Sequence, residues 1–200
     1  MTTRRSRIPT LVILPGWNDS GVTHWQSRWP LIHSDQARWV RIEQDDWHWP
    51  RRGDWMMQLD EALLADTTLV DEPAVLVAHS LGCHLAAAWA AHSKHTARVQ
   101  GAWLVAPPDL DAPDRLDALP PQLHNWIKVP RLPLPFKARV LASSNDAYSS
   151  LERAQGLAQD WGAEFENLGP LGHVNADSGQ GDWPEGWQHL QNSLSTWLQT

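Results

Sequence analysis

Residues 74–91 read AVLVAHSLGCHLAAAWAA, and the order of side chains in this stretch decides the fold. Ala74–Ala78 is wholly apolar, the pattern of a strand covered on both faces. Leu81–Ala91 is rich in alanine and forms a helix readily. Between them lies Val77-Ala78-His79-Ser80-Leu81-Gly82, the pattern G-x-S-x-G with alanine at the first glycine position. A strand–turn–helix context places the serine hydroxyl at the exposed tip of a sharp turn. The turn tolerates only small neighbours, and Ala78 and Gly82 supply them. The helix N-terminus that follows favours a developing negative charge.

Outward from this stretch, short apolar runs alternate with helical patterns. Thr10–Leu14, Arg38–Glu43, Ala102–Ala106, Ala138–Ala142 and Ala163–Leu168 read as further strands. Asp54–Thr67 places Trp55, Leu59, Ala62 and Leu63 on one face, with Asp54 as its N-cap. Ser149-Ser150-Leu151-Glu152 has the capping-box pattern, followed by Leu151, Ala154, Ala158 and Trp161 on one face and a stop at Gly162. A last helix carries Trp187, Leu190, Leu194, Trp197 and Leu198 on one stripe. The alternation predicts a single α/β domain over 1–200, with about six mostly parallel strands and helices on both faces. Such sheets bind ligands beyond the carboxyl ends of their strands.

One stretch, 107–136, breaks the rhythm. Pro107 to Pro135 holds eight of the fifteen prolines and is too long for an ordinary connection. It reads either as a lid or pocket wall over the strand ends, or as an irregular surface excursion.

A serine hydroxyl is a weak nucleophile and needs a base, which needs an acid to hold its tautomer. Asp146 follows the strand ending at Ala142, and His173 follows the strand ending at Leu168. Both stand at strand ends, in the order Ser–Asp–His. Asp109, after the preceding strand, is the competing acid; Asp146 fits the triad logic better. His189 falls on the more polar side of the last helix. His84, His92 and His95 show loose helical spacing, but no carboxylate or cysteine set completes a metal site. His79 reads as a packed or hydrogen-bonded neighbour of the serine. For the oxyanion, the backbone N–H groups of Leu81 and Trp17 are the expected donors, since Gly16 permits close approach and Pro15 has no N–H. Asn18, His24, Trp47 and His79 are candidate substrate-pocket residues. No cofactor is expected.

The chain of 200 residues carries 16 Lys and Arg against 23 Asp and Glu, a net charge of −7. This balance argues against nucleic acid as a partner. Arg4, Arg5 and Arg7 read as a solvated tail. No apolar run approaches the roughly 20 residues of a membrane span. Leu11–Leu14 is too short for a secretory core, so a cytoplasmic location is expected. Cys83 is the only cysteine, which excludes an intramolecular disulfide and fits a reducing compartment. In the helix it reads as a small packing residue. The fourteen tryptophans read as packing, with some rings free to line a pocket.

The segments ILPGWNDS, THWQSRW, EQDDW, VAHSLGC, LVAPPD, ASSNDAYS and GHVNADSGQGDWPEG occur in this order along nearly the whole chain. In these the sequence resembles the small serine hydrolase family that includes retinoblastoma-binding protein nine and its bacterial relatives. The resemblance implies an abbreviated α/β-hydrolase fold without the two edge strands that usually begin it. It also implies Ser80, Asp146 and His173 as nucleophile, acid and base. It implies no partner-binding role: Leu81-Gly82-Cys83-His84-Leu85 lacks the final acid of a Leu-x-Cys-x-Glu motif. The expected substrate is a small-molecule carboxyl ester. A thioester or amide would use the same groups, and a hydrolase-shaped binding protein is the alternative of another class. The residues do not set the oligomeric state.

Overall fold

In the computed structural model, residues 8–113, 116–128 and 130–198 are described; the basic cluster Arg4, Arg5 and Arg7 lies outside them. Six strands form one sheet: β1 (Thr10–Leu14), β2 (Arg38–Arg41), β3 (Ala74–His79), β4 (Val99–Val105), β5 (Lys137–Ala142) and β6 (Glu164–Asn167). Their order is β2-β1-β3-β4-β5-β6, and every neighbouring pair is parallel. From β1 the chain winds one way to β2, then crosses back to β3 and proceeds to the other edge. All six residues of β3 are buried, as its apolar run requires.

Five helices cover the sheet: α1 (Trp25–Ile32), α2 (Arg52–Ala65), α3 (Leu81–His92), α4 (Leu151–Asp160) and α5 (Pro184–Trp197). The two-residue period of the strands sorts their side chains into two cores. Val12, Leu14, Leu76, Ala78, Leu104 and Val140 join Trp55, Leu59, Leu85, Trp89 and Leu157 of α2, α3 and α4. Leu11, Val75, Val77, Trp103, Val105 and Leu141 join Trp25, Trp29, Trp187, Leu190 and Trp197 of α1 and α5. The second core is built on indoles. Trp25, Trp29, Trp103 and Trp183 lie with ring centroids 4.5–6.0 Å apart, and each such pair adds about 0.5–1.5 kcal/mol beyond area burial.

Several boundaries differ from the sequence reading. The strand expected over Arg38–Glu43 ends at Arg41. Helix α2 begins two residues before Asp54, which sits in the first turn as an acid facing the helix dipole instead of capping it. Helix α1 was not expected. Its sequence, WQSRWPLI, carries Pro30 internally, and its cap is the His24 imidazole, which accepts from the Gln26 amide. Among its described residues, the stretch 107–136 contains only two short 3₁₀ turns, Leu116–Ala118 and Pro121–Trp126. Among the described residues, no helix is long and apolar enough to cross a membrane.

Candidate active site

The turn between β3 and α3 brings Ser80 to φ 53°, ψ −123°, a conformation that costs a non-glycine residue of order 1–3 kcal/mol. Its amide donates to the Val105 carbonyl at 2.9 Å and its carbonyl accepts from Cys83 at 3.0 Å, which holds the turn from both sides. Two glycines allow the neighbouring chain to close on it. A Cβ on Gly82 would stand 2.3 Å from the Leu14 carbonyl oxygen, and one on Gly16 would stand 2.8 Å from the Ser80 Cβ. Gln26, fully buried, braces the same place: its amide donates to the carbonyls of Leu14 and Val77, at 3.1 and 3.0 Å. The sequence places it in His24-Trp25-Gln26 after the first strand, a segment able to line the site.

His173 Nε2 lies 2.9 Å from Ser80 Oγ. Its Nδ1 lies 3.0 and 2.9 Å from the two Asp146 carboxylate oxygens. Asp146 also accepts from the Tyr148 amide at 2.9 Å, and its side chain is 3% exposed. The loops carrying acid and base are tied to each other: Asn145 Oδ1 accepts from the Gly172 amide at 2.7 Å, and Ser143 Oγ from the Leu171 amide at 2.9 Å. The structure thus brings together the three residues that the sequence placed after β3, β5 and β6.

These residues open into a cleft of about 620 Å³, within the range of small-ligand pockets. Ser80, Leu81, Trp17, Asn18, His24 and His79 all line it. Among the described residues, the Trp17 and Leu81 amides have no protein acceptor, as donors reserved for an oxyanion require. Asn18 and Asp19 stand at φ 64° and 68°, turning the loop after β1 across the cleft. Trp47 does not reach it. This ring packs edge-on against Trp55, with centroids 5.3 Å apart, because burying an indole between the loop after β2 and α2 fills the first core.

Residues that the sequence did not nominate complete the walls. Leu110, Leu119 and Leu123 come from the stretch 107–136, with Tyr148 and Asn175 beside the acid and the base. Tyr148 and Asn175 each follow a triad candidate by two residues, which was a usable signal. The stretch 107–136 is anchored from below: the Trp126 indole donates to the Pro50 carbonyl at 2.7 Å, and His84 Nε2 to the Pro108 carbonyl at 2.7 Å. Arg153 of α4 holds Asp109 with two hydrogen bonds, at 2.7 and 2.8 Å. Asp109, the competing acid, is therefore engaged elsewhere.

The histidines beside the site are neutral. Burial, then Arg41 and His173, push His24 down to about 3. Burial, then His24 and His173, push His79 well below the ordinary histidine value. Burial lowers His84 to about 4. Burial raises the Cys83 thiol well above its usual value, and its sulfur donates to the Val105 carbonyl at 3.3 Å. A buried protonated thiol is inert as a nucleophile. His189 pairs with Glu166 at 2.8 Å, away from the cleft. Among the described residues, no group of His, Cys, Asp and Glu could hold a metal ion.

Comparison with known proteins points to a hydrolase of this fold. A family profile described as serine hydrolase matches residues 11–192. A protein of Pectobacterium atrosepticum described as a YdeN-like hydrolase shares 31% identity over 92% of this chain and 89% of its own, with a TM-score of 0.74. The ydeN gene product of Bacillus subtilis shares 21% identity over 94% of this chain and 99% of its own, TM-score 0.71. The esterase RhEst1 of a Rhodococcus species shares 14% identity over 95% and 91%, TM-score 0.68; at this identity the likeness concerns the fold. No curated protein matches the chain.

Proposed function

The chain belongs to the serine hydrolase family, and from that premise we propose that it hydrolyses carboxyl esters of small molecules through an acyl-enzyme on Ser80. The observation that carries this reading is the unbroken chain of hydrogen bonds from Ser80 Oγ through His173 to Asp146, opening into a cleft with apolar walls.

In this mechanism His173 Nε2 takes the Ser80 proton as Oγ attacks the ester carbonyl carbon. The Trp17 and Leu81 amides hold the resulting oxyanion. The tetrahedral intermediate collapses, His173 gives its proton to the leaving alkoxide, and the alcohol departs. Water then attacks the acyl-enzyme, losing its proton to His173, and the acid is released as Ser80 is reprotonated. Asp146 holds the imidazole tautomer and stabilises the imidazolium. Leu110, Leu119 and Leu123 offer the apolar part of the substrate a surface, with 107–136 serving as a pocket wall. The steps require no cofactor.

Intact-mass labelling with a fluorophosphonate tests the reading. Wild type is expected to gain a single adduct that the Ser80→Ala variant lacks, with turnover of model esters falling by several orders of magnitude in that variant. A folded wild type that takes no adduct overturns the reading in favour of a hydrolase-shaped binding protein.

A further inference from the structure

The backbone that carries His173 has a positive φ on both sides and is strained at Val174. Gly172 stands at φ 58°, and Val174 at φ 51°. A positive φ is free for glycine, but for a β-branched residue it is a genuine outlier. Such strain persists only where the surroundings over-determine it. Two side chains meet that requirement here. His79 Nε2 donates to the carbonyl of His173 at 2.8 Å, and the Trp25 indole donates to the carbonyl of Val174 at 2.8 Å. They grip the two consecutive carbonyls around the strained residue, from β3 and from α1. Val174 itself is fully buried, and its amide donates back to Leu171 at 3.1 Å.

We propose that His79 and Trp25 are positioning residues that act through the backbone of His173 to hold its imidazole between Ser80 and Asp146. The proposal rests on the triad reading above, because it assigns these residues to the base of that triad. Neither side chain needs to touch substrate. His79 is suited to the role because it is buried and neutral, so with Nε2 donating it keeps one tautomer throughout turnover. It sits in a row of rings, 4.7 Å from His24 and 4.9 Å from His173, which fixes its plane. Trp25 is fixed likewise by Trp29, Trp103 and Trp183. The indole cluster of the second core thus reaches the site through one N–H group. Releasing either carbonyl lets the base relax away from Ser80, and a misplacement of about 1 Å costs on the order of 100-fold in rate.

The test is the rate of Ser80 labelling by a fluorophosphonate, with kcat and KM for a model ester, in four proteins. These are wild type, Trp25→Phe, His79→Leu and His79→Gln. Phenylalanine keeps a ring but loses the donor. Leucine loses the donor, whereas glutamine offers an amide N–H at similar reach. All rates are taken well below each variant's unfolding midpoint. Trp25→Phe and His79→Leu are expected to label about 10–100-fold more slowly, with kcat falling and KM within about twofold, and His79→Gln is expected to recover most of the loss. A wild-type rate in either Trp25→Phe or His79→Leu would overturn the proposal, as would equal rates for the leucine and glutamine variants. If His79→Leu does not fold, Trp25→Phe and His79→Gln still decide: a wild-type rate for the former, or loss in the latter as deep as in Trp25→Phe, also overturns it. A wild type that does not label at all fails the triad reading instead, so the two failures are distinct.

Discussion

The loops after β4 and β5 leave adjacent strands, and each carries a nearly buried aspartate, yet the two acids have opposite fates. Asp146, after β5, faces an imidazole at 2.9 and 3.0 Å. Asp109, after β4, is gripped by the guanidinium of Arg153, with Asp111, Arg131 and Asp160 extending the network. Their side chains are 3% and 4% exposed. Burial therefore does not distinguish them; the partner does. A guanidinium is permanently charged and locks a carboxylate into structure, whereas an imidazole gains and loses a proton and leaves its acid free to stabilise a transient charge.

The largest way to sharpen this contrast is Asp146→Asn. The amide keeps the shape but favours the wrong imidazole tautomer. Turnover is expected to fall by about 10⁴-fold with the unfolding midpoint nearly unchanged, which steady-state kinetics and thermal melts check together. A fall below tenfold would remove Asp146 from the proposed mechanism.

The next effect lies under the loop after β4 and appears as acid lability. His84, whose Nε2–H holds the Pro108 carbonyl, is lowered by burial to about 4. In the unfolded chain it takes a proton as pH falls through about 6.5, while the folded protein does not until about 4. The unfolded state binds more protons in that interval, so stability is full above 6.5 and is lost as pH drops, by about 3 kcal/mol near pH 4. Urea midpoints between pH 7 and 4 measure this slope, and His84→Gln should flatten it. An unchanged slope in that variant would place the lability elsewhere, with His24 and His79 next in line.

The smallest effect is Asp109→Asn. It weakens a grip that Asp111 still shares, at about 1–2 kcal/mol, or roughly 2–8 °C in melting temperature for a chain of this size. Ser80 labelling should stay near the wild-type rate. A loss of activity as deep as that of Asp146→Asn would erase the contrast between the loops.

The parts of this architecture that were legible in the sequence are those set by local pattern. The apolar runs of β1, β3, β4 and β5 announced buried parallel strands, and the small residues around Ser80 announced the turn. What was not legible depends on assembly. Helix α1 was hidden because Pro30 and a histidine cap contradict the usual signals. The indole cluster draws on positions 25, 29, 103 and 183, which no local window joins. The leucines of 107–136 carry no periodicity to show that they face the cleft. Trp47 misled because following a strand places a residue near the sheet's carboxyl edge without fixing which way its ring turns. Asp109 and Asp146 could be ranked but not assigned, since Arg153 stands 44 residues beyond the first.

The sheet order gives the cleft a property that no single residue has. Trp17 follows β1, Ser80 follows β3, Asp146 follows β5 and His173 follows β6. In the proposed mechanism no single segment of the chain is reactive on its own, because the serine, the acid and the base are separated by 66 and 27 residues (80 to 146, 146 to 173). The proposed triad and oxyanion donors thus come from the loops after four separate strands and meet only in the assembled sheet.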